Sequence, residues 1–321
     1  MKKQMGTLAL AGILSAGLLA GCGSQQNSST QTAKDTSTQT SKSGKTIGFV
    51  VSTLNNPFFV AMRDGAQAEA TKLGVKLLVE DGNNDPSSQL NQIQNLIQQK
   101  VDAIILNPAS SQALSSAVQM ANQAKIPVIT LDRSVDSGKV ATFIASDNIK
   151  AGKMAADQLI QALKGKGSVV ELQGVIGTSA ERDREKGFDE EIATASGIKV
   201  VAKQPADFDR TKALNVMQNI LQANPNIKGV FAQNDEMALG SLKAIQAANK
   251  KGIAIVGIDG EKEAINNVQN GSMLADIAQQ PSQEGALGVD NALKVIEGKS
   301  VPSTIASPLQ LVVKGTQFSG F

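Results

Sequence analysis

The 321-residue chain has no histidine, tryptophan or tyrosine and a single cysteine, Cys22. Without histidine there is no Ser-His-Asp triad, no Cys-His dyad and no imidazole metal ligand. One cysteine cannot make an internal disulfide, a CxxC redox pair or a thiolate zinc cluster. An excess of either charge is missing too: 31 basic residues face 29 acidic ones, for a net charge of +2. That balance leaves no electrostatic footprint for nucleic acid. No GxGxxG follows a strand pattern and no GxxxxGK[ST] occurs, so neither dinucleotide nor P-loop binding is supported. Gly44-Lys45-Thr46 looks like the end of a P-loop, but Gln39 stands where its first glycine belongs. No cofactor is expected. What remains is 41% hydrophobic residues and 29 glycines, composition for a globular fold with many turns and roughly two domains.

Lys2 and Lys3 precede an apolar run over residues 6–20, too short to span a membrane and right for a secretory signal. It ends in Leu19-Ala20-Gly21-Cys22, which resembles the bacterial lipobox, where the cysteine is lipidated and becomes the first mature residue. Residues 23–44 are almost all Ser, Thr, Gln, Lys and small residues and read as a tether. Export and attachment to a membrane through Cys22 are the expectation.

From Lys45 onward short apolar runs alternate with amphipathic stretches. Strands are expected at 46–51, 75–80, 101–106 and 127–131, with helices at 58–73, 87–100 and 110–124. The second half repeats the scheme, with strands at 168–172, 199–203, 229–232 and 253–258 and helices at 181–194, 210–222 and 236–249. Runs rich in Val and Ile suit parallel strands buried on both faces, and the alternation implies βαβ crossovers. Asn107 and Asp132 end successive strands 25 positions apart, as do Asn234 and Asp259. Polar residues at such strand ends lie where open α/β sheets bind ligands, so two similar doubly wound lobes clamping a ligand are expected.

Each candidate segment also has a plain structural reading. In Ser52-Thr53-Leu54-Asn55-Asn56-Pro57-Phe58-Phe59, Asn56 can cap a helix and Pro57 suits its first turn, but two adjacent Phe point in different directions. Asp132-Arg133 offers acceptors beside a planar fork of donors, suited to neighbouring sugar hydroxyls, or else an ordinary ion pair. Glu181-Arg182-Asp183-Arg184 reads equally as a solvated helix face, and Phe208-Asp209-Arg210 and Gln233-Asn234-Asp235 as helix caps. Asp81, Asn83, Asp85, Ser87 and Gln89 have the spacing of a calcium loop, but Pro86 replaces its glycine and Gln92 its glutamate, so no metal is expected.

Together these stretches resemble the periplasmic sugar-binding family of ABC importers, in its ribose-binding branch. The matching segments are 50–59 (VVSTLNNPFF), 127–133 (PVITLDR), 144–148 (IASDN), 177–180 (GTSA), 204–210 (QPADFDR) and 231–240 (FAQNDEMALG), in order across 45–314. The resemblance implies two α/β lobes joined by three crossing segments that close on a sugar. It puts residues 45–146 with 280–307 in one lobe and 147–279 with 308–321 in the other. It carries the ligand-binding role to Ser52, Asn56, Phe58, Phe59, Asp132, Arg133, Arg182, Phe208, Asn234, Asp259 and Gln279. The three Phe would stack on the ring and the charged and amide groups would bind its hydroxyls. Family members for glucose and galactose stack their sugar on Trp, which this chain lacks. D-ribose, a membrane permease and a monomeric state are the implied partners and form. A regulator core is opposed by the export signal and the absence of a helix-turn-helix before Lys45. A glycosidase using Asp132 and Asp259 as paired carboxylates is the enzymatic alternative.

Overall fold

The computed structural model describes residues 44–321. The export segment and Cys22 lie outside the described residues. The first lobe is built from β1 (Thr46–Val51), α1 (Pro57–Leu73), β2 (Lys76–Asp81), α2 (Pro86–Gln98), β3 (Ala103–Leu106), α3 (Ser115–Gln123), β4 (Val128–Leu131) and β5 (Thr142–Ser146). The second holds α4 (Asn148–Ala162), β6 (Lys166–Gln173), α5 (Ser179–Ile192), β7 (Gly197–Pro205), α6 (Arg210–Ala223), β8 (Gly229–Ala232), α7 (Asp235–Ala247), β9 (Ala254–Asp259), α8 (Lys262–Asn270) and β10 (Ala275–Ala278). The chain then returns to pack α9 (Pro281–Ile296) on α1 and pair β11 (Thr304–Ser307) with β5. It finally crosses back to lay β12 (Gln310–Val313) against β10.

The two sheets have matching orders, β2-β1-β3-β4-β5-β11 and β7-β6-β8-β9-β10-β12. All pairs are parallel except β12, which runs antiparallel to β10. β3, β4, β8, β10 and most of β1 and β9 are buried along their whole length, which is why they read as unbroken apolar runs. Each sheet carries an apolar core on both faces. The 25-residue spacing is a consequence of topology: β3 and β4 hold the same places in one sheet as β8 and β9 in the other.

The chain passes between sheets three times, after β5, after β10 and after β11. Glu284, in the first turn of α9 and fully buried, accepts a hydrogen bond from Ser146 Oγ at the end of β5 (3.4 Å). Ser307, at the end of β11, adjoins it as well. One carboxyl thus touches the start or end of every crossing, and burial holds it well above the usual carboxyl range.

The helix expected over 110–124 begins only at Ser115. Residues 111–114 form a turn, and the Ser111 N–H donates to the Gly177 carbonyl of the other lobe (3.1 Å). Each lobe also has helices in backbone contact, α1 with α9 in the first and α4 with α5 and α6 with α7 in the second. A Cβ on Gly187 of α5 would lie 1.9 Å from the Ile149 carbonyl oxygen, and one on Gly152 of α4 would lie 2.1 Å from that of Arg184. Gly285 of α9 and Gly65 of α1 meet the facing helix in the same way in the first lobe. Gly187→Ala must therefore part α4 and α5, and we expect a loss of about 1–3 kcal/mol in chemical denaturation.

Candidate ligand-binding site

A cleft lies between the lobes, lined by Asn56, Phe58, Phe59, Asp132 and Arg133 from the first and by Ala180, Arg184, Phe208, Asn234 and Asp259 from the second. Local chain geometry aims each of these side chains. Asn56 caps α1, its Oδ1 accepting the Phe58 N–H (2.8 Å), and Pro57 fixes the first turn. Asn234 caps α7 in the same manner through the Met237 N–H (3.0 Å). Asp132 sits at φ 60°, in a turn closed by the Arg133 N–H on the Leu131 carbonyl (2.5 Å). Phe208 and Asp259 also have positive φ, 58° and 146°. Three non-glycine residues held in this region cost roughly 1–3 kcal/mol each, and such strain concentrates where a side chain must be aimed.

The charges are balanced and buried. The side chains of Asp132, Arg133, Arg184 and Asp259 are each 3–5% exposed. Arg133 lies 3.4 Å from Asp132, with its guanidinium between the rings of Phe59 and Phe208 at 5.0 and 5.3 Å. Burial lowers the Arg133 value from that of a free guanidinium, and Asp132 opposes that shift. Arg184 donates to Asn148 Oδ1 (2.8 Å) and to the Gln233 carbonyl (2.6 Å), and stands 3.9 Å from Asp259. Burial pushes Asp259 well above the usual carboxyl range, against the pull of Arg184.

Three of the residues proposed from sequence lie elsewhere. Arg182 is outside the cleft, 54% exposed, facing Asp136 across the rim at 3.8 Å. Arg184 takes the inward position. Two residues along a helix rotate a side chain by about 200°, so only one of the two can point in. The buried stripe Ala180, Arg184, Phe188 at intervals of four marks the inward face, and that spacing is readable in the sequence. Ser52 does not line the cleft: its N–H donates to Asn107 Oδ1 (3.2 Å), whose amide in turn donates to Asp132 Oδ2 (3.2 Å). Gln279 stands behind Asp259, donating to its Oδ1 (2.9 Å). Asn107 likewise orients Asp132 rather than facing the cleft. The calcium-like segment holds its carboxylates as caps, Asp81 accepting the Leu54 and Asn83 N–H groups and Asp85 that of Ser87.

The lobes touch at the rim. Ser111 Oγ donates to the Ser134 carbonyl (2.7 Å) and accepts the Ser179 N–H (3.1 Å), while Ser179 Oγ accepts the Ser134 N–H (2.8 Å). These bonds describe a closed cleft.

Residues 47–300 match the model of the periplasmic binding protein domain. The chain belongs to this family of periplasmic binding proteins. The ribose import binding protein of Salmonella typhimurium is 51% identical over 269 residues, covering 84% of this chain and 90% of the relative. That of Bacillus subtilis is 49% identical over 267 residues, covering 83% and 86%. The solute-binding protein of an ABC transporter from Actinobacillus succinogenes, solved with D-allose bound, is 35% identical with a TM-score of 0.80, covering 84% of this chain and 98% of that one. A periplasmic binding protein carries no catalytic role, so the paired-carboxylate enzyme is set aside: the chain is a binding protein and not an enzyme. The family name also places its members outside the cytoplasmic membrane, and this chain with them.

Behind the periplasmic binding protein cleft, Asp235 Oδ2 accepts the N–H groups of Gly260 (2.9 Å) and Glu261 (2.8 Å), fixing the turn that presents Asp259. Its other oxygen and the Asp276 carboxyl both face Gly257, fully buried. Burial, then the Asp235 charge, pushes Asp276 well above the usual carboxyl range. A folded-state value raised in this way gives stability at low pH that is lost as pH rises through it. Asp276→Asn keeps a donor toward Asp235 and should melt within about 1 kcal/mol of the parent at pH 6 while declining less by pH 9. Asp276→Ala leaves a buried oxygen unpaired and should cost about 1–3 kcal/mol.

Proposed function

We propose that the protein captures D-ribose in the closed cleft and presents it to the membrane permease of an ABC importer. The observation that carries this reading is the balanced quartet of two carboxyls and two guanidiniums set among Phe58, Phe59 and Phe208. Each guanidinium is set against a carboxyl, at 3.4 and 3.9 Å, an arrangement that suits a ligand without charge of its own. Its donors and acceptors suit one rich in hydroxyls, each of which donates and accepts. The aromatic faces suit the apolar surface of a sugar ring. A pentose has about ten heavy atoms and small ligands gain at most ~1.5 kcal/mol per atom, so micromolar binding requires most hydroxyls to be satisfied together. A cleft lined from both lobes meets that requirement, and closure removes the water that would weaken each bond.

The ribose-binding names of the two relatives support D-ribose over other sugars, while the D-allose complex supports a hexose as the competing ligand. The binding residues in this reading are Asn56, Phe58, Phe59, Asp132, Arg133, Phe208, Asn234 and Asp259, with Arg184 in place of Arg182. Ser52 and Gln279 act from behind, through Asn107 and Asp259. The protein works as a monomer whose three crossings act as a hinge between lobes 45–146 with 280–307 and 147–279 with 308–321. Lipid on Cys22 holds it at the membrane. Ligand binding shifts the population toward the closed form, which is the form the permease receives.

Calorimetric titration with D-ribose, D-allose, arabinose, xylose and glucose tests the assignment. D-ribose should bind tightest, and a folded protein that ignores ribose while binding another sugar overturns it. In the same assay Arg184→Ala should weaken ribose binding by roughly 1.5–3 kcal/mol, the worth of a charged hydrogen bond. Arg182→Ala, which breaks only an exposed ion pair, should stay within about 1 kcal/mol of the parent.

A further inference from the structure

Residues 315–321 pass from the second lobe to the first. The segment starts on α8, where Gln269 accepts the Gly315 N–H (2.9 Å) and donates to the Thr316 carbonyl (3.0 Å). Phe318 packs against the second-lobe core. Gly320, at φ 73°, lies so close to the turn after β9 that a Cβ there would stand 2.7 Å from Lys262 Cα. The Phe321 backbone is pinned to that turn, its N–H donating to the Gly260 carbonyl and its carbonyl accepting the Lys262 N–H, both at 3.2 Å. Its ring, however, joins the core of the first lobe, edge-to-face with Phe58 at 6.0 Å and 72°. Phe58 meets Phe59 in the same geometry at 5.3 Å, and both line the ligand cleft.

We infer that residues 315–321 form a strap between the lobes, in which Phe321 is a positioning residue that braces Phe58 from outside the cleft. The strap is a further link beside the three covalent crossings and the rim bonds, made of two backbone hydrogen bonds on one lobe and one aromatic ring in the other. It holds the closed arrangement and keeps the Phe58 wall in place, so its effect falls on ligand release. The inference rests on the ribose reading only for its probe.

The full chain, its Phe321→Ala, Phe321→Leu and Gly320→Val variants, and D-ribose are the materials. Stopped-flow binding should show release from Phe321→Ala faster by about three- to tenfold, the worth of one edge-to-face aromatic pair, with association within twofold. Phe321→Leu should recover most of the difference. Gly320→Val, which lifts the strap while retaining the ring, should reproduce the fast release. X-ray scattering without sugar should give a larger radius of gyration for Phe321→Ala than for the parent. Release within twofold of the parent in both Phe321→Ala and Gly320→Val overturns the strap. If the parent itself ignores D-ribose, the ribose reading fails and scattering decides the strap alone: equal radii overturn it.

Discussion

Four ionisable side chains enclosed between two lobes set the terms for the rest of this structure. Removing Asp132, Arg133, Arg184 and Asp259 from water costs several kcal/mol per ion, and mutual attraction returns that only with good geometry and further hydrogen bonds. The surroundings supply both. Asn107 orients Asp132, Gln279 holds Asp259, and Asn148 with the Gln233 carbonyl holds Arg184. Arg133 donates to the Pro108 carbonyl (3.4 Å) and lies between two aromatic faces, one from each lobe. The second ring reaches Arg133 only when the lobes are together, so the pocket's electrostatics and its closure are one problem.

This explains why strain is placed where it is. Asp132, Phe208 and Asp259 carry left-handed or otherwise unfavourable backbone: Asp132 follows and Asp259 ends a buried strand rigid enough to impose it, while Phe208 lies in the turn between β7 and α6. A relaxed backbone would turn these side chains along the sheet edge. The second lobe makes the larger structural commitment here, with the Asp235–Asp276 pair buried solely to fix the Gly260–Glu261 turn behind Asp259. Two carboxyls buried side by side are an expensive way to hold a turn. Its advantage is that the same group satisfies two N–H donors while sending no charge toward the ligand side.

The fold was largely readable because its central strands are apolar on both faces and its helices are capped by Asn, Asp and Pro in plain view. The repeat of Asn107 and Asp132 in Asn234 and Asp259 gave the two-lobe plan from spacing alone. Spacing could not say that Asn107 faces inward to Asp132 while Asn234 faces the cleft, since both follow a strand and differ only in what lies above them. The exchange of Arg182 for Arg184 has a different origin. A charge run offers no apolar contrast at its own positions, and the inward face is set by Ala180 and Phe188 on either side. The turn at residues 111–114 was hidden for a third reason: its partner is Gly177, in the other lobe, which local sequence cannot announce.

Contacts between lobes are therefore the part of the molecule written least plainly in the chain. They are small groups at the rim, where the hydroxyls of Ser111 and Ser179 bond across the gap to the Ser179 and Ser134 backbone N–H groups. Serine is apt for this position. Its hydroxyl both donates and accepts, it loses little rotamer freedom on closure, and water replaces each bond at small net cost on opening. A rim of apolar residues would hold the cleft shut and retain the ligand, and a rim of like charges would hold it open. Among the described residues the one charged pair there, Asp136 with Arg182, is half exposed and correspondingly weak. Strong, desolvated interactions lie at the centre, where a ligand can complete them, and weak exchangeable ones at the edge. That division lets occupancy of the cleft, rather than the rim, decide between open and closed.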